Sequence, residues 1–190
     1  MPALVFADFT CPFCYVTEAA LRRLADEGRV APSLRALELY PAPAPLPFDG
    51  FAQRVEAARP LADELGLALR TPAVLPRTRK AHEAALFAAE KGLGREMREA
   101  LYHAFFADGL DVGRIDVLVR LAEELGLDAT ETKVVLDIDR MTEQVVRDAE
   151  EARSAGIRGV PTVVLGTAAA ERTLTGAWSL AELRAALDEE

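Results

Sequence analysis

Runs of β type occur only near the two ends of this chain, while almost everything from Phe51 to about Ala155 is helical in pattern. The first end spells β-α-β. Ala3–Phe9 is an apolar run too brief for a helix; it stops at Thr10-Cys11-Pro12 and reads as a buried strand. From Phe13 to Glu27 the period becomes helical. Cys14, Val16, Ala20, Leu21 and Leu24 share one face, Glu18, Arg22, Arg23 and Asp26 take the other, and Gly28 is the stop signal. Ser33–Leu39 reads as a second strand, and such a β-α-β unit is expected to form a parallel, right-handed crossover. The far end spells strand Thr162–Leu165, a turn over 166–170, strand Arg172–Thr175 and a capping box at Ser179-Leu180-Ala181-Glu182 that opens a last helix through Leu187. The order β-α-β, helices, then α-β-β-α predicts an α/β fold whose sheet is built in two halves with a helical insertion between them.

Pro41, Pro43, Pro45 and Pro47 form a stiff connector that is neither helix nor central strand. Beyond it the pattern predicts helices over Phe51–Leu65, Arg77–Lys91, Arg95–Phe106, Ile115–Leu125, Thr130–Asp137 and Arg140–Ser154, punctuated by glycines. The last of these is expected to bury Met141, Val145, Ala149 and Ala152. Acidic groups at Glu123 and Glu124, and at Asp148, Glu150 and Glu151, read as solvated helix faces. The expected division is residues 1–48 with 138–190 as one discontinuous domain, and 49–137 as the insertion.

The 190 residues are 51% apolar by type, enough for a real core. A net charge of −9 repels a phosphate backbone, so nucleic acid is not an expected partner. No apolar run approaches the roughly 18 residues of a membrane helix, so no membrane partner is expected either. The opening Met1–Asp8 has no basic start and already carries an acid, which argues against a secretory leader and for the cytoplasm. There is no glycine-rich phosphate loop, and none of the three serines lies in a Gly-x-Ser-x-Gly elbow.

The only two cysteines are Cys11 and Cys14. A zinc site needs about four ligands, and the only other soft candidates, His82 and His103, lack the short spacing of a finger, so no metal is expected. Two buried small hydrophobes would be one reading of the pair. Its placement where a buried strand gives way to a helix favours redox chemistry. Exposed N–H groups and the helix dipole stabilise an anion at Cys11, and Cys14, one turn on and more buried, would resolve a mixed disulfide formed there. Pro12 suits the first helical turn, and Phe13 offers the thiolate no charge or donor.

Cys11-Pro12-Phe13-Cys14-Tyr15 after a first strand resembles the thioredoxin superfamily, and the helices between the sheet halves resemble its DsbA branch, specifically the FrnE-like dithiol oxidoreductases. Thr78-Arg79-Lys80-Ala81-His82 resembles the Thr-x-x-Ala-His segment of that group, and Gly156-Ile157-Arg158-Gly159-Val160-Pro161-Thr162 resembles its cis-proline loop. Gly176-Ala177-Trp178 stands where the group commonly has Gly-Ala-Gln, and Phe13 where it usually has Trp; no second cysteine pair follows.

The resemblance implies thiol–disulfide exchange on protein or small-molecule thiols and disulfides. Neither metal nor organic cofactor is needed, and glutathione would serve as a redox partner. Residue preferences alone make the Val160–Pro161 bond trans, whereas the resemblance implies cis, with Val160 facing the Cys11 sulfur and open to an added substrate strand. His82 is either a packing histidine or, if the insertion folds over the dithiol, a neighbour of Cys11 that stabilises its thiolate. His103, beside Tyr102, Phe105 and Phe106, reads as core lining. Two other readings share these features. One is a glutathione-dependent isomerase or transferase of the 2-hydroxychromene-2-carboxylate isomerase or kappa-class type, whose members usually have Ser at the Cys11 position and lack the second Cys. The other is a peptide-binding holdase without catalysis.

Overall fold

The computed structural model describes residues 1–167 and 170–188. Twelve elements follow in order among them: β1 (Pro2–Ala7), α1 (Pro12–Asp26), β2 (Ala31–Ala36), α2 (Phe51–Leu65), α3 (Arg79–Glu90), α4 (Gly94–Phe106), α5 (Ile115–Glu124), α6 (Ala129–Asp137), α7 (Thr142–Ser154), β3 (Thr162–Thr167), β4 (Ala170–Thr175) and α8 (Leu180–Asp188). The strands form one sheet in the order β2-β1-β3-β4, with β1 parallel to β2 and antiparallel to β3. The two ends of the chain therefore do complete a single sheet. The turn expected over 166–170 falls partly outside the described residues.

β1 lies inside the sheet, with Ala3, Val5, Phe6 and Ala7 buried, as its apolar run demands. It ends at Ala7, two residues earlier than expected, because Asp8 turns its carboxylate back to accept the Thr10 N–H at 2.7 Å. β2 is an edge strand and starts earlier than expected, taking in Pro32, which an edge tolerates. It stops at Ala36, although the Leu37 N–H still reaches the Ala7 carbonyl at 3.1 Å.

The core is shared rather than partitioned. One cluster of buried side chains joins Val5, Leu21 and Val163 of the sheet region to Phe51, Met97, Phe105 and Leu118 of the helical segment. α2 and α4 pack on α1, and α3 packs on α4, α5, α6 and α7. α7 lies against β2 and corrects one expectation. Met141, Val145 and Ala152 are buried, but the fourth position is Asp148 and not Ala149. Its carboxylate accepts the Ala36 N–H at 2.8 Å, so this acid serves the sheet edge instead of solvent. His103 corrects another, being largely exposed beside Asp108 rather than lining the core. The Ser179–Glu182 capping box forms as expected, with Ser179 Oγ accepting the Glu182 N–H and the glutamate reaching back to the Ser179 N–H. Among the described residues, no helix is long and apolar enough to cross a membrane.

Candidate active site

β1 and β2 run parallel and end side by side at Ala7 and Ala36, and α1 starts five residues beyond Ala7. Cys11 occupies the cap position of α1 with extended backbone (φ −91°, ψ 113°). Pro12 follows at the first helical position, where a missing N–H costs nothing. The Cys11 carbonyl accepts the N–H groups of Cys14 at 3.0 Å and Tyr15 at 3.2 Å, so the helix that carries the second cysteine is launched from the first. Both thiols are free; Cys11 is 5% exposed and Cys14 is sealed at 0%. Burial pushes the Cys14 thiol well above its ordinary range, and its hydrogen bond with Cys11 adds to the rise.

The Cys11 thiol donates to the Val160 carbonyl across 3.8 Å, and the Val160–Pro161 peptide that follows is cis. That differs from the trans form favoured by residue preference, a preference of only about 0.5–1 kcal/mol that packing overrides. Ala42–Pro43, in the proline-rich connector, is cis as well. Pro161 is buried, its carbonyl accepting the Gly176 N–H at 2.9 Å, whereas Val160 is half-buried and stands just before β3. Pro12 is buried and Phe13 half-buried against the core. Cys11, Cys14, Val160 and Pro161 are thus brought together from opposite ends of the chain.

His82 comes in from α3. It is 1% exposed, its ring packs on Phe9 at 4.8 Å, and its Nε2 stands 3.6 Å from Asp8 Oδ2. The His82 ring thus faces Asp8, while the Cys11 sulfur turns to Val160. The reason is the buried carboxylate, which sits at the end of β1 directly in reach of α3.

Asp8 is the residue that the sequence reading missed. Fully buried, it accepts the Thr10 N–H and hydroxyl on Oδ1, and the Leu39 N–H (2.9 Å) and Thr78 hydroxyl (2.7 Å) on Oδ2. Burial alone would raise its pKa, but His82 and the Thr10 donors outweigh burial and hold the carboxyl below its usual range. Its backbone carbonyl accepts the Cys11 N–H at 3.2 Å. One acid therefore ties the Cys11 loop to β2 and to the start of α3. The available signal was an acid closing an otherwise apolar strand, three residues before the first cysteine.

A second buried cluster lies one turn beyond Cys14. Arg98 of α4 makes a two-pronged pair with Glu18 of α1, and the Tyr102 hydroxyl donates to the same carboxylate at 2.6 Å. The guanidinium also lies over the Phe9 ring at 4.8 Å. Burial and the neighbouring Glu18 both push the Tyr102 hydroxyl well above its ordinary pKa. Among the described residues, no group of three or more His, Cys, Asp or Glu side chains gathers to hold a metal ion.

A central β-α-β with its β-β-α completion, and a Cys-x-x-Cys capping the first helix beside a cis-proline, define a thioredoxin-fold protein. Residues 4–188 match the DSBA-like thioredoxin domain, and the chain belongs to that family. It is 34% identical over 175 residues to the uncharacterized protein YwbO of Bacillus subtilis, covering 85% of each chain. The crystal structure of a probable DsbA oxidoreductase from Streptomyces coelicolor superposes with a TM-score of 0.84 at 27% identity, over 100% of this chain and 89% of that one. A 2-hydroxychromene-2-carboxylate isomerase shares the fold at 18% identity, with a TM-score of 0.79 over 99% and 95% of the two chains. The fold alone therefore houses both oxidoreductase and isomerase chemistry.

Proposed function

We propose that this protein is a thiol–disulfide oxidoreductase in which Cys11 is the nucleophile and Cys14 the resolving thiol. The observation that carries the reading is the placement of two free thiols one helical turn apart, one at the cap of α1 against Val160 and the other sealed beneath it. As a thiolate, Cys11 attacks one sulfur of a substrate disulfide; the S–S bond breaks, the other substrate sulfur leaves as a thiolate, and a mixed disulfide forms. Cys14 then loses its proton and attacks the Cys11 sulfur. This releases the second substrate thiolate and leaves a Cys11–Cys14 disulfide, two electrons having passed to the substrate. The reverse sequence oxidises a dithiol. The raised Cys14 pKa keeps that thiol protonated until the mixed disulfide forms, which separates the two roles.

Val160, with Pro161, would pair its backbone with an extended substrate segment, and Pro12 and Phe13 would line the approach. Glutathione, as two molecules per disulfide, would return the pair to its starting state. Residues 49–137 act in this reading as the insertion that closes over the loop through Thr78 and His82.

The test is equilibration of the purified protein with defined ratios of reduced to oxidised glutathione, followed by thiol trapping. A reversible two-electron transition of the Cys11–Cys14 pair is expected, and Cys14→Ser should accumulate a mixed disulfide on Cys11. A potential near −270 mV would mark a reductant and one near −120 mV an oxidant. If no intramolecular disulfide forms and Cys11 merely holds glutathione, the glutathione-dependent isomerase reading replaces this one. If unfolded chains bind equally well after both cysteines become serine, and no turnover is seen, the holdase reading does.

A further inference from the structure

A cleft of about 510 Å³ opens between α1, β2, α3 and α4, within the size range of about 300–1,000 Å³ that small-molecule sites occupy. It is separate from the dithiol, for Cys11, Phe13 and Val160 do not line it. Its walls are mainly apolar, drawn from Ala19, Leu21, Leu34, Ala85 and Leu86, with Tyr15 and Tyr102 stacked at one end at a ring separation of 5.4 Å. The charged groups around it are matched to one another. Arg98 holds Glu18, Arg22 pairs with Glu99 at 3.2 Å, and Arg95 pairs with Asp26 at 2.7 Å. Tyr102 spends its hydroxyl on Glu18.

His82 is a buried lining group left with capacity. It is 1% exposed; its Nε2 faces Asp8 beyond hydrogen-bond length, and its Nδ1 has no partner among the described residues. Its nearest acidic neighbour, Asp8 Oδ2, stands at 3.6 Å and already accepts from Thr78 and Leu39. A buried polar group without a partner is uncommon and costly, and this one forms part of the wall of a mainly apolar cleft. Rotation about the soft terminal torsion of the imidazole would turn Nδ1 toward the cleft.

We propose that this cleft is a second ligand site, taking an uncharged, mostly apolar small molecule whose single hydroxyl or carbonyl hydrogen-bonds to His82. A charged ligand is disfavoured, because the surrounding cations and anions already neutralise one another and a new charge would have to displace a partner. A planar ring suits the site, since it extends the Tyr15–Tyr102 stack. The site stands independently of the dithiol reaction.

The full chain is titrated with 2-naphthol, naphthalene and 2-naphthalenesulfonate, read by calorimetry and by the nitrogen resonances of the His82 ring. Saturable one-to-one binding of 2-naphthol is expected, roughly tenfold tighter than naphthalene, with the sulfonate weakest and the His82 resonances shifting only with naphthol. His82→Phe keeps the apolar volume and should erase the preference for naphthol over naphthalene. Leu34→Trp, at a half-buried position on β2, should fill the cleft and abolish binding of both. Absence of saturable binding to the folded protein overturns the proposal, as does equal binding of naphthol and naphthalene. Binding that Leu34→Trp leaves untouched overturns it too, because the probe would then sit elsewhere. Should His82→Phe fail to fold, the naphthol preference, the ring resonances and Leu34→Trp still decide the matter.

Discussion

Asp8 is the acid on which three parts of the chain converge, through Thr10, Leu39, Thr78 and His82. Its native pKa lies below its ordinary value of 3.8 despite complete burial. A carboxyl depressed on folding contributes stability that is present above its unfolded pKa and is lost as pH falls through the native value. Asp8→Asn should therefore lower the stability at pH 7 by about 2 kcal/mol, through poorly matched donors, and flatten the loss of Tm below about pH 4. Thermal melts from pH 2 to 7 check this, and parallel curves for the two proteins would refute it. At Arg98 the expectation is larger. Replacing it by Met strands the Glu18 carboxylate in the interior and should cost about 3–5 kcal/mol, whereas replacing both partners by apolar residues should cost much less. Urea melts of the two single variants and the double variant give the coupling. What the sequence conveyed at this scale was uneven. Cys11, Pro12 and Cys14 declare themselves by spacing. Asp8, Asp148 and Arg98 are charges whose burial depends on partners 70 or more positions away, at Thr78, Ala36 and Glu18 respectively.

Among the elements, α3 and α4 approach most tightly at the first residue of α4. A Cβ placed on Gly94 would sit 2.7 Å from the Ala89 Cβ and 3.0 Å from its Cα. Alanine normally improves a helix over glycine by about 1 kcal/mol, yet here the contact is with backbone-anchored atoms that have little room to yield. Gly94→Ala should therefore destabilise by about 1–3 kcal/mol, and Ala89→Gly in the same chain should recover part of the loss. If Gly94→Ala raises the urea midpoint, the contact is not limiting. Helical spans were legible because α2, α4 and α5 carry 3.6-residue patterns bounded by glycine, and their observed limits lie within a residue or so of expectation. Strand ends were not. β1 and β2 are trimmed by the Asp8 carboxylate, which diverts the Thr10 and Leu39 N–H groups from any ladder, and no local pattern encodes that diversion.

Across the whole molecule, the shared core and the bridges from Asp8 to Thr78 and from Glu18 to Arg98 link sheet and helices, so the two should unfold together. Unfolding in urea followed by the fluorescence of the single Trp178, near the sheet, should coincide with that followed by helical circular dichroism. Separated midpoints would mean that residues 49–137 melt on their own. The sheet order also carries a consequence for synthesis. β1 is a central strand, yet one of its neighbours, β3, pairs Leu4 with Val164, 160 residues later. A ribosome releases the N-terminus first, so an apolar strand with one unmatched flank waits for most of the chain to emerge. Contacts of such long sequence separation slow folding, and they leave the nascent protein dependent on α1 and the helices to shelter β1 until its last partner arrives.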